Sequence, residues 1–275
     1  MKVYFIGAGP GDPELITLKG ARLLRHSPVI LYTGSLVPLS VVDHALGEQL
    51  LPQQQQGPQL KQRRILNSAD MTLSEIVEVF LQAKKEDQDV ARLHTGDPSI
   101  YGAISEQIQA LRYHQIDWEI VPGVSSFVAS AAALGVELTL PEVTQTIVIT
   151  RMEGKTPVPT QERLRSLAQH CTTLAIFLSA DLLQHVVTEL LTVYPRDYPI
   201  ALVHKASWPE QTVVQGNLGN ILIKLESLAS STNRPTSRPT ITSTTMILVG
   251  KVLDPLVLQN HPRSKLYAED KGEYN

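Results

Sequence analysis

The chain has 275 residues, a single cysteine, and a formal charge of -3 with 19% charged side chains. That length suits two α/β domains of ordinary size, each with its own core, and so small a net charge excludes a whole-molecule field that would gather nucleic acid or an anionic membrane. One cysteine, Cys171, excludes an internal disulfide and a cysteine-built zinc cluster; with no signal-peptide core and no run near ~18 apolar residues, a soluble, cytoplasmic protein is the expectation.

In chain order, the apolar run Val3–Ile6 predicts a buried parallel strand, and Asp12-Pro13 supplies a cap and a first-turn proline for a helix through Leu15–Arg25. Val29–Tyr32 reads as a second strand. Thr72 and Glu75 form a capping box ahead of the amphipathic LSEIVEVFLQAKK. Strand Val90–His94, helix Ile104–Tyr113 and strand Trp118–Val121 follow, the last broken at Pro122-Gly123. This alternation predicts a largely parallel, helix-covered sheet.

A small-residue helix near Phe127–Leu134 leads to strands at Thr146–Thr150, Leu174–Leu178, Ile200–His204, Thr212–Gln215 and Met246–Val249, with helices over Gln161–Gln169 and Leu182–Leu191. The expected division is an N-terminal domain over 1–117, a C-terminal domain over 118–253 and a flexible tail over 254–275. Two low-complexity segments, QQQQGPQLKQRR and ASSTNRPTSRPTITS, read as loops. No internal repeat is visible.

The loop GAGPG behind the first strand invites comparison with a dinucleotide fingerprint, since glycines let a backbone approach a pyrophosphate. The spacing fails: G-x-G-x-x-G requires glycine where Asp12 stands, no acidic residue closes the second strand, and no Gly-Lys-Ser/Thr is present for a P-loop. The glycines serve either a tight turn or a ligand. HTGDPSIYG and PGVSSF also fall at the carboxyl ends of predicted strands, where open α/β sheets bind ligands. Each alone is equally a turn or a helix cap.

Taken together, GAGPGDPELITLKGARLL, LYTGSLVP, HTGDPSIYGAISEQ, VPGVSSFVASAAALGVELTLPEVTQTIVITR and HKASWPEQTVVQG closely resemble the tetrapyrrole methyltransferase family. The similarity runs over about residues 2–253, apart from the Ser/Thr/Pro insertion near 229–244. It is strongest to the branch acting at C-11 of precorrin-4 or cobalt-precorrin-4 in cobalamin biosynthesis. The resemblance implies two α/β domains with mixed five-stranded sheets, a homodimer, and S-adenosyl-L-methionine as cofactor in a trough between the domains.

It also carries cofactor contacts onto Pro10, Gly96, Asp97, Pro98, Ile100, Ser125, Ser126, Leu178 and Ala206. Leu178 stands where relatives often have Met, a swap that keeps bulk and apolarity. One departure concerns the uroporphyrinogen-III branch, which has an acidic residue in a Y-D-R-L-V pattern after the second strand. Here Thr33-Gly34-Ser35 follows Tyr32, which fits the C-11 branch. Methylation at C-20 or C-17, or a non-catalytic module that binds S-adenosyl-L-methionine, are the alternatives.

Methyl transfer from a sulfonium needs alignment more than acid–base help, so no catalytic residue is assigned. Asp97 either binds the cofactor's ammonium or ribose hydroxyls or caps a turn before Pro98. The eight histidines form no metal-binding pair, and His94 and His204, at strand ends, read as structural. A ring bearing many carboxylates calls for cations: Arg63, Arg64, Arg151 and Lys205 are the candidates, with Lys61 beside them. Trp208 either stacks on the ring or packs in the core.

Overall fold

A computed structural model describes residues 1–47, 63–154, 156–231 and 244–260. The glutamine-rich tract with Lys61, most of the Ser/Thr/Pro insertion and the tail from 261 lie outside the described residues. The chain forms two compact units, Met1–Ala129 and Ser130–Asn275.

The first unit runs β1 (Lys2–Gly7), α1 (Leu18–His26), β2 (Val29–Tyr32), α2 (Leu39–Leu46), β3 (Arg64–Asn67), α3 (Leu73–Lys85), β4 (Val90–His94), α4 (Ser105–Tyr113) and β5 (Asp117–Val121). Its strands lie in the order β3-β2-β4-β1-β5, all neighbours parallel. β5 pairs with β1 from Lys2↔Asp117 to Ile6↔Val121, so a division after residue 117 would cut a strand from its own sheet; the units separate after Ala129 instead.

The helices follow two routes. Ala21 and Leu24 of α1 and Val41, Val42 and Ala45 of α2 pack on one face with Ile6, Ile30, Ala91 and Leu93. Ile76, Phe80 and Ala83 of α3 and Leu111 of α4 cover the other face, against Val3, Phe5, Val29, Leu31 and Val90. Phe80 and Leu24 are both 0% exposed, and burying a side chain of that kind contributes about 1.5–3 kcal/mol. The chain therefore leaves β1 toward one face and β4, its neighbour, toward the other. Such a reversal opens a crevice at the carboxyl ends of the two strands.

The predicted first helix is divided. Asp12 caps only a short 3-10 turn, Pro13–Leu15, with its side chain accepting from Glu14 N–H at 2.9 Å. Ile16 is extended, and Thr17 becomes the true cap of α1 by accepting from Gly20 N–H at 3.1 Å. The capping box predicted at Thr72 and Glu75 is present in full at the start of α3.

α5 (Ser126–Leu134) leads to the second unit: β6 (Ile147–Arg151), α6 (Leu164–Ala168), β7 (Thr173–Phe177), α7 (Leu183–Leu191), β8 (Pro199–His204), β9 (Thr212–Asn217), α8 (Ile221–Ser231), β10 (Thr245–Val249) and α9 (Pro255–Asn260). α9 occupies the start of the stretch expected to be a tail. The order is β6-β7-β10-β8-β9, with only β6 and β7 parallel. β6, β7 and β8 point the same way. Leu164 and Ala168 of α6, Val186, Val187 and Leu190 of α7 and Ile221 of α8 pack against Leu174, Ile176, Ile200, Leu202, Ile247 and Val249.

Candidate functional site

In the first unit, the loops leaving β1, β4 and β5 close on one another through backbone. Gly9 and Gly96 form an isolated antiparallel bridge, Gly96 N–H donating to Gly9 O at 2.8 Å and Gly9 N–H to Gly96 O at 3.3 Å. Both glycines hold left-handed conformations, φ +77 and +62. A methyl group on Gly7 would lie 2.5 Å from the Gly123 Cα and 2.6 Å from the Gly96 carbonyl oxygen. Gly7 is demanded by contact, whereas Gly96, with no atom closer than 3.6 Å to an added Cβ, is demanded by its left-handed conformation.

Asp97 ties the same loops together. Its Oδ1 accepts from Ser99 N–H at 2.8 Å and its Oδ2 from Gly123 N–H at 2.9 Å, across 26 residues of sequence. Pro10 and Pro98 are buried, Asp97 and Ile100 are half-buried, and Ile100 N–H donates to the Asp97 carbonyl at 3.2 Å. Ser125 is buried at the start of α5, its carbonyl accepting from Val128 and Ala129, with half-buried Ser126 beside it. Seven of the nine residues expected to contact the cofactor thus fall on three neighbouring strand-end loops: Pro10, Gly96, Asp97, Pro98, Ile100, Ser125 and Ser126.

The other two lie in the second unit, after strands that point the same way. Leu178 follows β7 with φ +51 and is 58% exposed, a conformation and an exposure both unusual for leucine. Ala206, 5% exposed, follows β8 between Lys205 (φ +48) and Ser207 (φ +71). Left-handed non-glycine residues are strained, and the surrounding fold must hold them in place.

The cations named from the sequence that lie among the described residues are occupied. Arg64 pairs with Glu86 at 3.1 Å, and Arg63 Nη2 donates to Arg25 O at 2.7 Å. Arg151 donates to the Thr156 and Pro157 carbonyls at 2.9 and 3.0 Å. Lys205 lies 3.8 Å from Glu210 and 4.9 Å from the half-buried Trp208 ring. His204 Nδ1 bonds Thr245 Oγ1 at 2.9 Å, and burial lowers its pKa. Among the described residues no cluster of His, Cys, Asp and Glu could hold a metal ion, and no helix is long and apolar enough to cross a membrane.

Sequence reasoning missed Arg92 and the true surroundings of His94. Both face the α3/α4 side of β4 and are 5% and 6% exposed. Nη1 of Arg92 donates to Ser68 Oγ at 2.8 Å, and its Nε to Gln107 Oε1 at 3.4 Å. Burial lowers the guanidinium to about 10, still charged at neutral pH. Burial, and then the charge of Arg92, depress His94 to about 3, so its ring is neutral. The signal in VARLH was the alternation itself, which puts an arginine and a histidine on one buried face.

Residues 2–222 match the model of the Tetrapyrrole (Corrin/Porphyrin) Methylases. A precorrin-4 C(11)-methyltransferase from Pseudomonas aeruginosa is 49% identical over 254 residues, 92% of this chain and 91% of that protein. The X-ray structure of a cobalamin biosynthetic enzyme, cobalt precorrin-4 methyltransferase, superposes with a TM-score of 0.79 at 40% identity, covering 92% of this chain and 96% of that one. A uroporphyrin-III C-methyltransferase from Thermus thermophilus, solved with S-adenosyl homocysteine, gives 0.67 at 26% identity, covering 92% and 99%.

Proposed function

The chain belongs to the tetrapyrrole (corrin/porphyrin) methylases, and from that premise we propose that it methylates C-11 of precorrin-4, metal-free or cobalt-loaded, in cobalamin biosynthesis. S-adenosyl-L-methionine is the methyl donor. The observation that carries the reading is similarity at 49% identity across nearly the whole chain to a protein of that activity, with the strand-end loops intact.

The residues present fit the donor. Gly7 and Gly123, packed on each other and on the Gly96 carbonyl, are closed to side chains, so backbone forms the floor of the crevice there. We assign donor contacts in the first unit to Pro10, Gly96, Asp97, Pro98, Ile100, Ser125 and Ser126, and in the second to Leu178 and Ala206. When bound, the sulfonium supplies a methyl group that is already electrophilic. The protein's share is positional: Asp97 fixes the loop after β4 to the loop after β5, and both to a rigid sheet end. Alignment of this kind is worth about 7–11 kcal/mol of barrier. An electron-rich ring carbon attacks without a strong base, in keeping with Thr33-Gly34-Ser35 after β2. The enzyme is read as a cytoplasmic homodimer.

Incubating the protein with donor carrying a 13C methyl group and with each form of the ring, then locating the label by NMR, tests the assignment. Label at C-11 is expected. Label at C-20 or C-17 would move the reading to another branch. No transfer, with S-adenosylhomocysteine still bound in a calorimetric titration, would favour a non-catalytic binding module.

A further inference from the structure

A cavity of about 470 Å³ opens in the first unit, beside the carboxyl ends of β2, β3 and β4, within the ~300–1,000 Å³ usual for ligand pockets. Its wall includes Arg92, His94, Thr33, Ser68, Met71 and Tyr101. Among the described residues Arg92 forms no ion pair, although burying a guanidinium away from a counter-charge is costly. Its partners are neutral: Ser68 Oγ at 2.8 Å, Gln107 Oε1 and Thr33 Oγ1 at 3.4 Å, and Leu31 O at 3.5 Å. Ser68 is held in turn, donating to Tyr32 O at 3.1 Å.

These contacts use Nε and Nη1 and leave Nη2 without an acceptor among the described residues. His94, two residues along the same strand face, has a buried Nε2 that also lacks a partner among them. Glu106, the one carboxylate among the described residues lining the cavity, is exposed on the first turn of α4 and makes no ion pair with Arg92. The guanidinium is thus oriented, buried and uncompensated. That is the arrangement a carboxylate would complete, because Nη2 still has N–H groups to donate and most of the cost of burying the guanidinium has already been met in the fold.

We propose that this cavity receives a carboxylate arm of the tetrapyrrole, with Arg92 as its charged partner. The inference rests on the methyltransferase reading and places a ring-binding contact on β4, apart from Arg63, Arg64, Arg151 and Lys205.

Steady-state kinetics of Arg92→Gln and Arg92→Lys, paired with calorimetric titration of S-adenosylhomocysteine, provide the test. Arg92→Gln should raise KM for the ring at least tenfold while the S-adenosylhomocysteine Kd moves less than twofold, and Arg92→Lys should recover part of the KM. An unchanged KM, or a KM rise matched by an equal loss of S-adenosylhomocysteine affinity, would overturn the proposal. Should Arg92→Gln not fold, Leu73→Trp reads the same question by filling the cavity from its rim, Leu73 being 45% exposed; a KM within twofold of the parent would then refute it. A parent protein that transfers no methyl group to either ring form removes the functional reading and this inference together, whereas an active parent with an indifferent Arg92→Gln removes the inference alone.

Discussion

The strand ends of the two units are built from different materials. In the first, backbone meets backbone: Gly7 and Gly123 touch each other and the Gly96 carbonyl where no side chain fits, and Asp97 pins the loops by two N–H groups. In the second, Leu178, Lys205 and Ser207 hold left-handed conformations without being glycine, a feature that, among the described residues, the segments leaving the first unit's strands show only farther along after β4, at Tyr101 and Ala103. The first arrangement depends on residue identity and the second on conformation imposed by the surrounding fold. The two should therefore respond differently to mutation, the first through stability and the second through activity.

Gly7→Ala should give the largest effect. Its new methyl group would meet three backbone atoms within 2.6 Å, none of which can rotate away. A loss of about 3 kcal/mol, the upper end of overpacking, is expected in urea unfolding. A loss under 1 kcal/mol would show that the seam gives way, and the contrast between the units would vanish.

Acid titration probes the same unit. The folded pKa of His94 lies at about 3, below its ordinary 6.5, so the unfolded chain takes up a proton that the native ring refuses. The stability this protects is complete above pH ~6.5 and declines as pH falls toward 3. Between pH 7 and 5 the loss should be about 2 kcal/mol, and His94→Gln should flatten it. Equal slopes for parent and variant would remove His94 as the cause.

Asp97→Ala breaks both loop ties and should cost about 2 kcal/mol of stability, with a roughly tenfold weaker affinity for S-adenosylhomocysteine by calorimetry. Unchanged affinity would confine Asp97 to the loops. Leu178→Gly should sharpen the contrast: relieving a left-handed leucine leaves stability within about 1 kcal/mol, while kcat/KM falls. Loss of stability with activity intact would reverse the assignment. The smallest effect is expected from Arg64→Ala, under about 0.5 kcal/mol, because its pair with Glu86 lies at the surface.

The same difference in materials explains how much of the molecule is legible in its sequence. Gly, Pro and Asp at strand ends have few alternatives, so GAGPGD, TGDP and PGVSS are placed by residue type and spacing alone. The buried run Val90–His94 and the amphipathic stretch Leu73–Lys85 are equally plain. β3 was missed because RILN is a short edge strand with every other residue exposed, adjoining a low-complexity tract. The break between Leu15 and α1 escaped because Asp12 and Thr17 are both good caps, and only the extended Ile16 decides between them. Leu178 and Ala206 came from resemblance alone, since no residue type announces a left-handed leucine. The environment of Arg92 was hidden for a different reason: a strand pattern shows which face a charge occupies, not whether a counter-charge waits there.

The glycine seam also sets the terrain for laboratory evolution. A library that samples Gly7 or Gly123 would spend most of its members on chains that do not fold. Diversity placed at Leu36, Leu73 and Glu106, which line the cavity without being buried, would explore altered ring acceptance on an undisturbed chassis, whereas Gly102, where an added Cβ would lie 2.1 Å from the Pro98 carbonyl oxygen, belongs with the positions to leave alone.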